Sequence, residues 1–199
     1  MPLPAIPGTS VGAVSCFPTI RRAIAADVPT LSELSAIAFT QAFGHLYAPA
    51  DLARFLTGAY SQESYAALIA DPTKALWVAE RSGQVIGYGL AGPCNLPHPE
   101  VTEADGEIKR LYLLAGHQGS GVGSMLFETA MSWLLADGPR VLWLGVWSQN
   151  HGAQRLYNRY GFTKVGEYEF PVGEHRDREF IFRRPRGQPS VWAYPGSFH

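Results

Sequence analysis

The chain has 199 residues, 46% of them hydrophobic, with 16 basic side chains against 17 acidic ones and a net charge of −1. That length and apolar content suit one compact domain with a full core, and the near balance of charge offers no general attraction for nucleic acid or an anionic membrane. Two cysteines, Cys16 and Cys94, are too few for a disulfide framework or a thiolate metal site, so small-molecule chemistry in the cytoplasm, with no metal, is the expectation.

The chain opens with an uncharged stretch broken by Pro2, Pro4 and Pro7. A secretory segment needs a positive start and an unbroken apolar run, so residues 1–18 are read as a flexible arm. No run approaches the roughly 18 apolar residues of a membrane-spanning helix. From Thr19, "TIRRAIAA" predicts an opening strand, and Asp27 is placed to cap a helix carrying Leu31, Leu34, Ile37 and Ala38 at helical spacing. A second helix follows Pro49, with Leu52, Phe55 and Leu56 on one face, and a third runs through "ESYAALIA" to Asp71-Pro72. The stretches "KALWVAE" and "QVIGYGLAG" flank Ser82-Gly83 as an antiparallel hairpin, and a polar loop from Pro93 to Gly106 leads to the strand "EIKRLYLL".

Next comes the glycine turn "QGSGVG", Gln118 to Gly123, followed by an apolar stripe of Val122, Met125, Leu126, Ala130, Trp133 and Leu134 at helical spacing. A strand, a glycine turn and a helix start bring free backbone N–H groups and the positive helix end together, which makes an anion site fit for a diphosphate. A triphosphate loop would need lysine where Ser124 stands. A dinucleotide site would need a carboxylate closing the next strand, and that strand runs into Ser148-Gln149-Asn150. The strand "RVLWLGVW" is continuously apolar, as a central one should be, so Trp143 and Trp147 are read as core. The segment "HGAQRLYNRYG" predicts a short helix closed by Gly161, and "TKVGEYEF" and "REFIFRR" predict two final strands separated by a charged connection. The proline-rich residues 185–199 are read as a tail.

Two segments resemble one family. "LYLLAGHQGSGVGSMLF" is similar to motif A of the GNAT superfamily of N-acetyltransferases, whose Gln/Arg-x-x-Gly-x-Gly/Ala turn matches Gln118, Gly121 and Gly123. "LGVWSQNHGAQRLYNRYGF" resembles motif B through Asn150, Ala153, Tyr157, Gly161 and Phe162. The resemblance covers residues 19–184. It implies a mixed α/β fold: a mostly antiparallel sheet of about 6–7 strands whose central strands splay, flanked by about 4 helices. It also implies acetyl-coenzyme A as co-substrate, its pantetheine arm on the backbone of Leu111, Tyr112 and Leu113. The diphosphate would then lie on the N–H groups of Gly119, Ser120, Gly121, Val122, Gly123 and Ser124, with Asn150 holding the pantetheine amide or capping its helix. Paired assemblies are common in the family, so a homodimer is carried as an expectation.

An alkyl amine, with a pKa of about 10.4, arrives protonated and must lose that proton before it can attack a thioester. Glu107, at the start of its strand, is the expected base, and Tyr157 the expected acid for the departing thiolate. Some relatives that acetylate N-terminal alanine carry Glu where this chain has Gly145, which weakens that substrate here. Four carboxylates in "EVTEADGE" would draw a cationic amine, and "WLGVW" with the closing strands looks most like the spermine and spermidine acetyltransferase branch. Substrate selection in the family comes largely from residues 31–70, where Phe39, Phe43, His45, Tyr47 and Tyr60 stand out. A polyamine or other small amine is the expected acceptor. A protein N-terminus or lysine is the alternative on the same fold, and a non-catalytic acyl-coenzyme A-binding module the alternative of another class.

Overall fold

The structure, a computed structural model, describes residues 17–189, so the expected arm lies almost wholly outside the described residues, as do residues 190–199 of the expected tail. The elements run from β1 (Thr19–Arg22) through α1 (Val28–Phe43), α2 (Pro49–Ala59), α3 (Gln62–Ala70), β2 (Ala75–Arg81), β3 (Gln84–Pro93) and β4 (Gly106–Leu113). They continue with α4 (Val122–Leu134), β5 (Leu142–Trp147), α5 (His151–Arg159), β6 (Thr163–Val172) and β7 (His175–Arg184). The seven strands form one sheet in the order β1-β2-β3-β4-β5-β7-β6, antiparallel everywhere except at the β4–β5 pair. No helix among the described residues is long and apolar enough to cross a membrane.

The sheet carries a core on each face. On one, α4 buries Val122, Leu126, Phe127, Ala130, Met131 and Leu134 beneath α5, with Tyr157, Tyr160 and Phe162 closing around Phe127. On the other, α1 and α3 bury Leu31, Leu34, Phe39 and Tyr65 against Val78, Tyr88 and Leu90. Each large apolar side chain removed from water contributes about 1.5–3 kcal/mol, so α4 alone anchors strongly.

The feature that positions the site is where the strands stop pairing. Strands β4 and β5 are paired only at Gly106–Leu142 and Glu107–Trp143. Beyond Glu107 they diverge, and Lys109 is an extra residue against β3, since Leu90 faces Arg110 and Ala91 faces Ile108. Such a bulge raises the local twist and turns the strand away from its neighbour.

Three readings change. Asp27 stands at the head of α1, but its carboxylate caps no helical N–H; it accepts from Arg21 at 2.7 and 2.8 Å and from the Ile24 N–H at 2.8 Å. The charged connection before "REFIFRR" is mostly strand: β6 runs to Val172 and β7 begins at His175, around Gly173 at φ 59°. Ile37 and Met125, expected on buried helix faces, are 42% and 37% exposed, because α1 turns Leu34, Ala38 and Phe39 inward and α4 turns Leu126, Phe127 and Met131 inward.

Candidate functional site

The diverging strands open a groove that crosses the sheet, and three adjoining cavities follow it. The largest, about 670 Å³, lies between the glycine turn and α5 and is lined by Leu111, Leu113, Gln118, Gly119, Gly121 and Asn150 among others. Gly119 at φ 74° and Gly121 at φ 84° hold left-handed backbone, and a side chain at either would meet nothing within 4 Å, so both leave open space along the turn. Gly123 differs: its backbone is ordinary, and an added Cβ would sit 3.6 Å from Leu113. Ser120 closes the turn by donating from Oγ to the His117 carbonyl at 2.6 Å, while Val122 is fully buried in the core.

No side chain caps α4, so the first-turn N–H groups of Val122, Gly123 and Ser124 are free to meet an anion. Arg155 and Arg159, one turn apart on α5, line the same cavity, and among the described residues neither has a carboxylate partner. Backbone donors, a helix end and two unpaired cations around one open cavity suit a diphosphate. The arginines were missed in the sequence because exposed helix charges carry no signal until their neighbours are known.

A middle cavity of about 100 Å³ joins this space to a third of about 220 Å³. Tyr157 and Asn150 each line both the first and the middle cavity. Asn150 Oδ1 accepts from the Ala153 N–H at 3.1 Å, so it caps α5 while its residue lines the groove. Tyr157 stacks on Phe127 with ring centroids 5.2 Å apart, and burial, then the Glu179 charge, raises its phenol pKa. Trp147 also lines the middle cavity and meets Phe43 edge-on, so only Trp143 of the expected core pair is fully buried.

The third cavity is walled by Phe39, Phe43, Tyr47 and Tyr60 from the α1–α2 region, with Tyr112, Tyr168 and Phe170 from the sheet; His45 takes no part. Its charged groups are Glu107, Asp177 and Glu179 against Lys109 and Arg110. Glu107 is engaged: Oε2 accepts from Lys109 Nζ at 2.6 Å and from the Asn95 N–H at 3.0 Å. Arg110 stacks over Tyr60 and donates to Tyr65 Oη at 3.3 Å. Asp177 accepts from the Tyr47 hydroxyl and lies 3.2 Å from His175 Nε2. Glu179 lines the middle and third cavities alike; burial, then repulsion from Asp177, pushes its carboxyl up to about 7.

The acidity of this cavity is therefore not where "EVTEADGE" located it. Asp105 turns inward to accept from Trp143 Nε1 at 2.8 Å, Glu103 lines a separate cavity beyond β3, and Glu100 lies 3.6 Å from Arg183. Only Glu107 of that run lines the third cavity; Asp177 and Glu179 supply the rest from β7. Gly145 lies in the same wall, and a Cβ there would come 2.8 Å from Tyr168 Oη, so the tyrosine fills the space a larger residue would need. Cys94 is half-buried and its thiol is pushed up to about 11 by burial, which makes it a poor nucleophile.

Comparison with known proteins gives the same direction. The profile of the acetyltransferase (GNAT) family matches residues 38–162. An uncharacterized N-acetyltransferase of Lactobacillus delbrueckii subsp. lactis is 31% identical over 158 residues, spanning 79% of this chain and 91% of that protein. An uncharacterized N-acetyltransferase of Mycobacterium bovis is 28% identical over 158 residues, spanning 79% and 97%. Among solved structures, the PaiA N-acetyltransferase of Thermoplasma acidophilum in complex with coenzyme A superposes with a TM-score of 0.69 at 19% identity, covering 85% of this chain and 99% of that one.

Proposed function

Because the chain belongs to the acetyltransferase (GNAT) family and is an acetyl-coenzyme A-dependent N-acetyltransferase, we propose that it acetylates a small cationic amine, with a polyamine the preferred acceptor. The observation that carries this reading is the third cavity: aromatic walls that favour a cation, and three carboxylates against two cations. Its volume of about 220 Å³ lies below the range of about 300–1,000 Å³ usual for drug-sized ligands, which favours a slender amine. The polyamine branch assignment rests on this chemistry and on the sequence resemblance.

Within the proposed domain, residues 19–184, the donor lies in the large cavity and supplies an acetyl thioester. The N–H groups from Gly119 to Ser124 bind the diphosphate, with Arg155 and Arg159 neutralising its charge, and Gln118 lines the same wall. Leu111, Tyr112 and Leu113 offer backbone where β5 has turned away, as an edge strand does. Tyr157 is the proposed acid, holding its proton firmly until a thiolate needs one. Glu107 is the base expected from the sequence, and its ion pair with Lys109 fits it equally to holding the cavity floor and adding negative potential. A homodimer belongs to the same reading, tested by light scattering of the purified chain. Turnover of spermidine against peptide amines, read as released thiol, tests the acceptor.

A further inference from the structure

We infer that Glu179, a residue of β7 outside the two family motifs, is the group that takes the proton from the acceptor amine. The inference rests on the acetyl-transfer reading above, and it starts from position. Glu179 alone among the cavity's carboxylates also lines the middle cavity, where Tyr157 stands. An amine lodged in the aromatic cavity with its nitrogen toward the donor must pass this carboxylate.

The three carboxylates differ in what already holds them. Glu107 Oε2 is bound by Lys109 and by the Asn95 N–H, so protonating that carboxylate forfeits the charge that pairs with Lys109 and weakens both bonds. Asp177 is bound by the Tyr47 hydroxyl and flanked by His175. Glu179 has no hydrogen-bond donor paired with it among the described residues, and no cation within ion-pair distance. A half-buried, unpaired carboxylate beside another negative group is a stronger base than a paired one, and its carboxyl at about 7 matches the working pH of a general base.

The titratable groups around it come from every packed element: Asp177 on its own strand, Tyr157 on α5, Tyr112 on β4, Tyr168 on β6 and Tyr47 before α2. Lys109 and Arg110 face both cavities from β4, and Glu107 faces the third cavity from the same strand. The tyrosines stay neutral throughout the working range, because burial raises every one of them. The step itself is one proton transfer: an N–H bond of the ammonium breaks, an O–H bond to a Glu179 oxygen forms, and the electron pair stays on nitrogen. The carboxyl then returns that proton to solvent through the open cavity.

The test compares kcat/KM from pH 5.5 to 9 for the wild type, Glu179→Gln and Glu107→Gln, on whichever amine the wild type turns over. Carbon-13 carboxyl titration and coenzyme A calorimetry are run on the same proteins without substrate. The inference predicts an acid limb near pH 7 in the wild type and in Glu107→Gln, and its loss in Glu179→Gln together with a fall in kcat of about 100-fold. It predicts a carboxyl resonance titrating near 7 that is missing from Glu179→Gln, and unchanged coenzyme A affinity. Retention of the limb and rate in Glu179→Gln, loss of the limb in Glu107→Gln, or no carboxyl titrating near 7 in the wild type would each overturn it. Should Glu179→Gln fold poorly, Glu179→Asp must keep the limb while losing rate. The ionisation of an alkyl amine near 10 adds a limb common to all variants, so it does not blur the comparison. A wild type that prefers peptide amines would defeat the small-amine reading and leave this comparison intact.

Discussion

Glu179 on β7 and Tyr157 on α5 line one cavity at the point where the sheet opens, close enough that the Glu179 charge helps hold the Tyr157 proton in place. In the mechanism we propose, this carboxylate, which has no donor paired to it among the described residues, takes a proton from the incoming amine, and the phenol that keeps its proton supplies one to the leaving sulfur. The strand divergence past Glu107–Trp143 creates the space in which both can act.

Tyr157→Phe removes only the hydroxyl, and the ring keeps its stacking on Phe127. We expect kcat to fall about 100-fold with the fold and coenzyme A affinity retained. Unchanged turnover would remove Tyr157 from the mechanism, and unchanged coenzyme affinity with no turnover in the wild type itself would point to a binding module.

Gly121→Val places a β-branched side chain at φ 84° and in the open space along the turn. The left-handed backbone alone costs about 1–2 kcal/mol for a residue with a Cβ. Calorimetry should find acetyl-coenzyme A bound at least about 10-fold more weakly. At Gly123 the backbone is ordinary, so Gly123→Ala should cost much less in stability than Gly121→Ala, as thermal melts of the two will read.

Arg155→Ala and Arg159→Ala should each weaken the coenzyme, with little effect on KM for the amine. The loss should shrink as salt rises, because both side chains are exposed. Affinity indifferent to both changes would remove the arginines from the donor site.

Much of the fold was legible because the chain's strongest signals are periodic. The α4 stripe and the continuous "VLWLGVW" strand announce helix and buried strand without help from neighbours, and the positions of Asn150 and Tyr157 follow from two turns of helix. The acceptor cavity was not legible in the same way. Asp177, Glu179 and Ile181 alternate toward the interior of β7, but the charges of "GEHRD" hid the alternation and read as a connection. Conversely, "EVTEADGE" looks like one acidic surface, and only the fold reveals that Asp105 is committed to Trp143 and Glu107 to Lys109. Local charge density does not say which way carboxylates face.

Asp27 gives a check on stability away from the site. Hydrogen bonds from Arg21, with the Ile24 N–H, hold its pKa below the ordinary value of 3.8. A carboxylate whose folded pKa is depressed contributes stability above its unfolded pKa and loses it as pH falls through the folded value. Asp27→Asn should therefore melt below the wild type at pH 7, with the difference vanishing as pH drops below about 4. Arg21 is 38% exposed, so solvent screening limits the pair to about 1 kcal/mol.

The most direct measurement is the rate of thiol release from acetyl-coenzyme A with spermidine, a lysine peptide and an N-terminal alanine peptide offered side by side. We expect the highest kcat/KM for spermidine, with rates for both peptides at least about 10-fold lower. Turnover confined to either peptide, with spermidine inert, would contradict it.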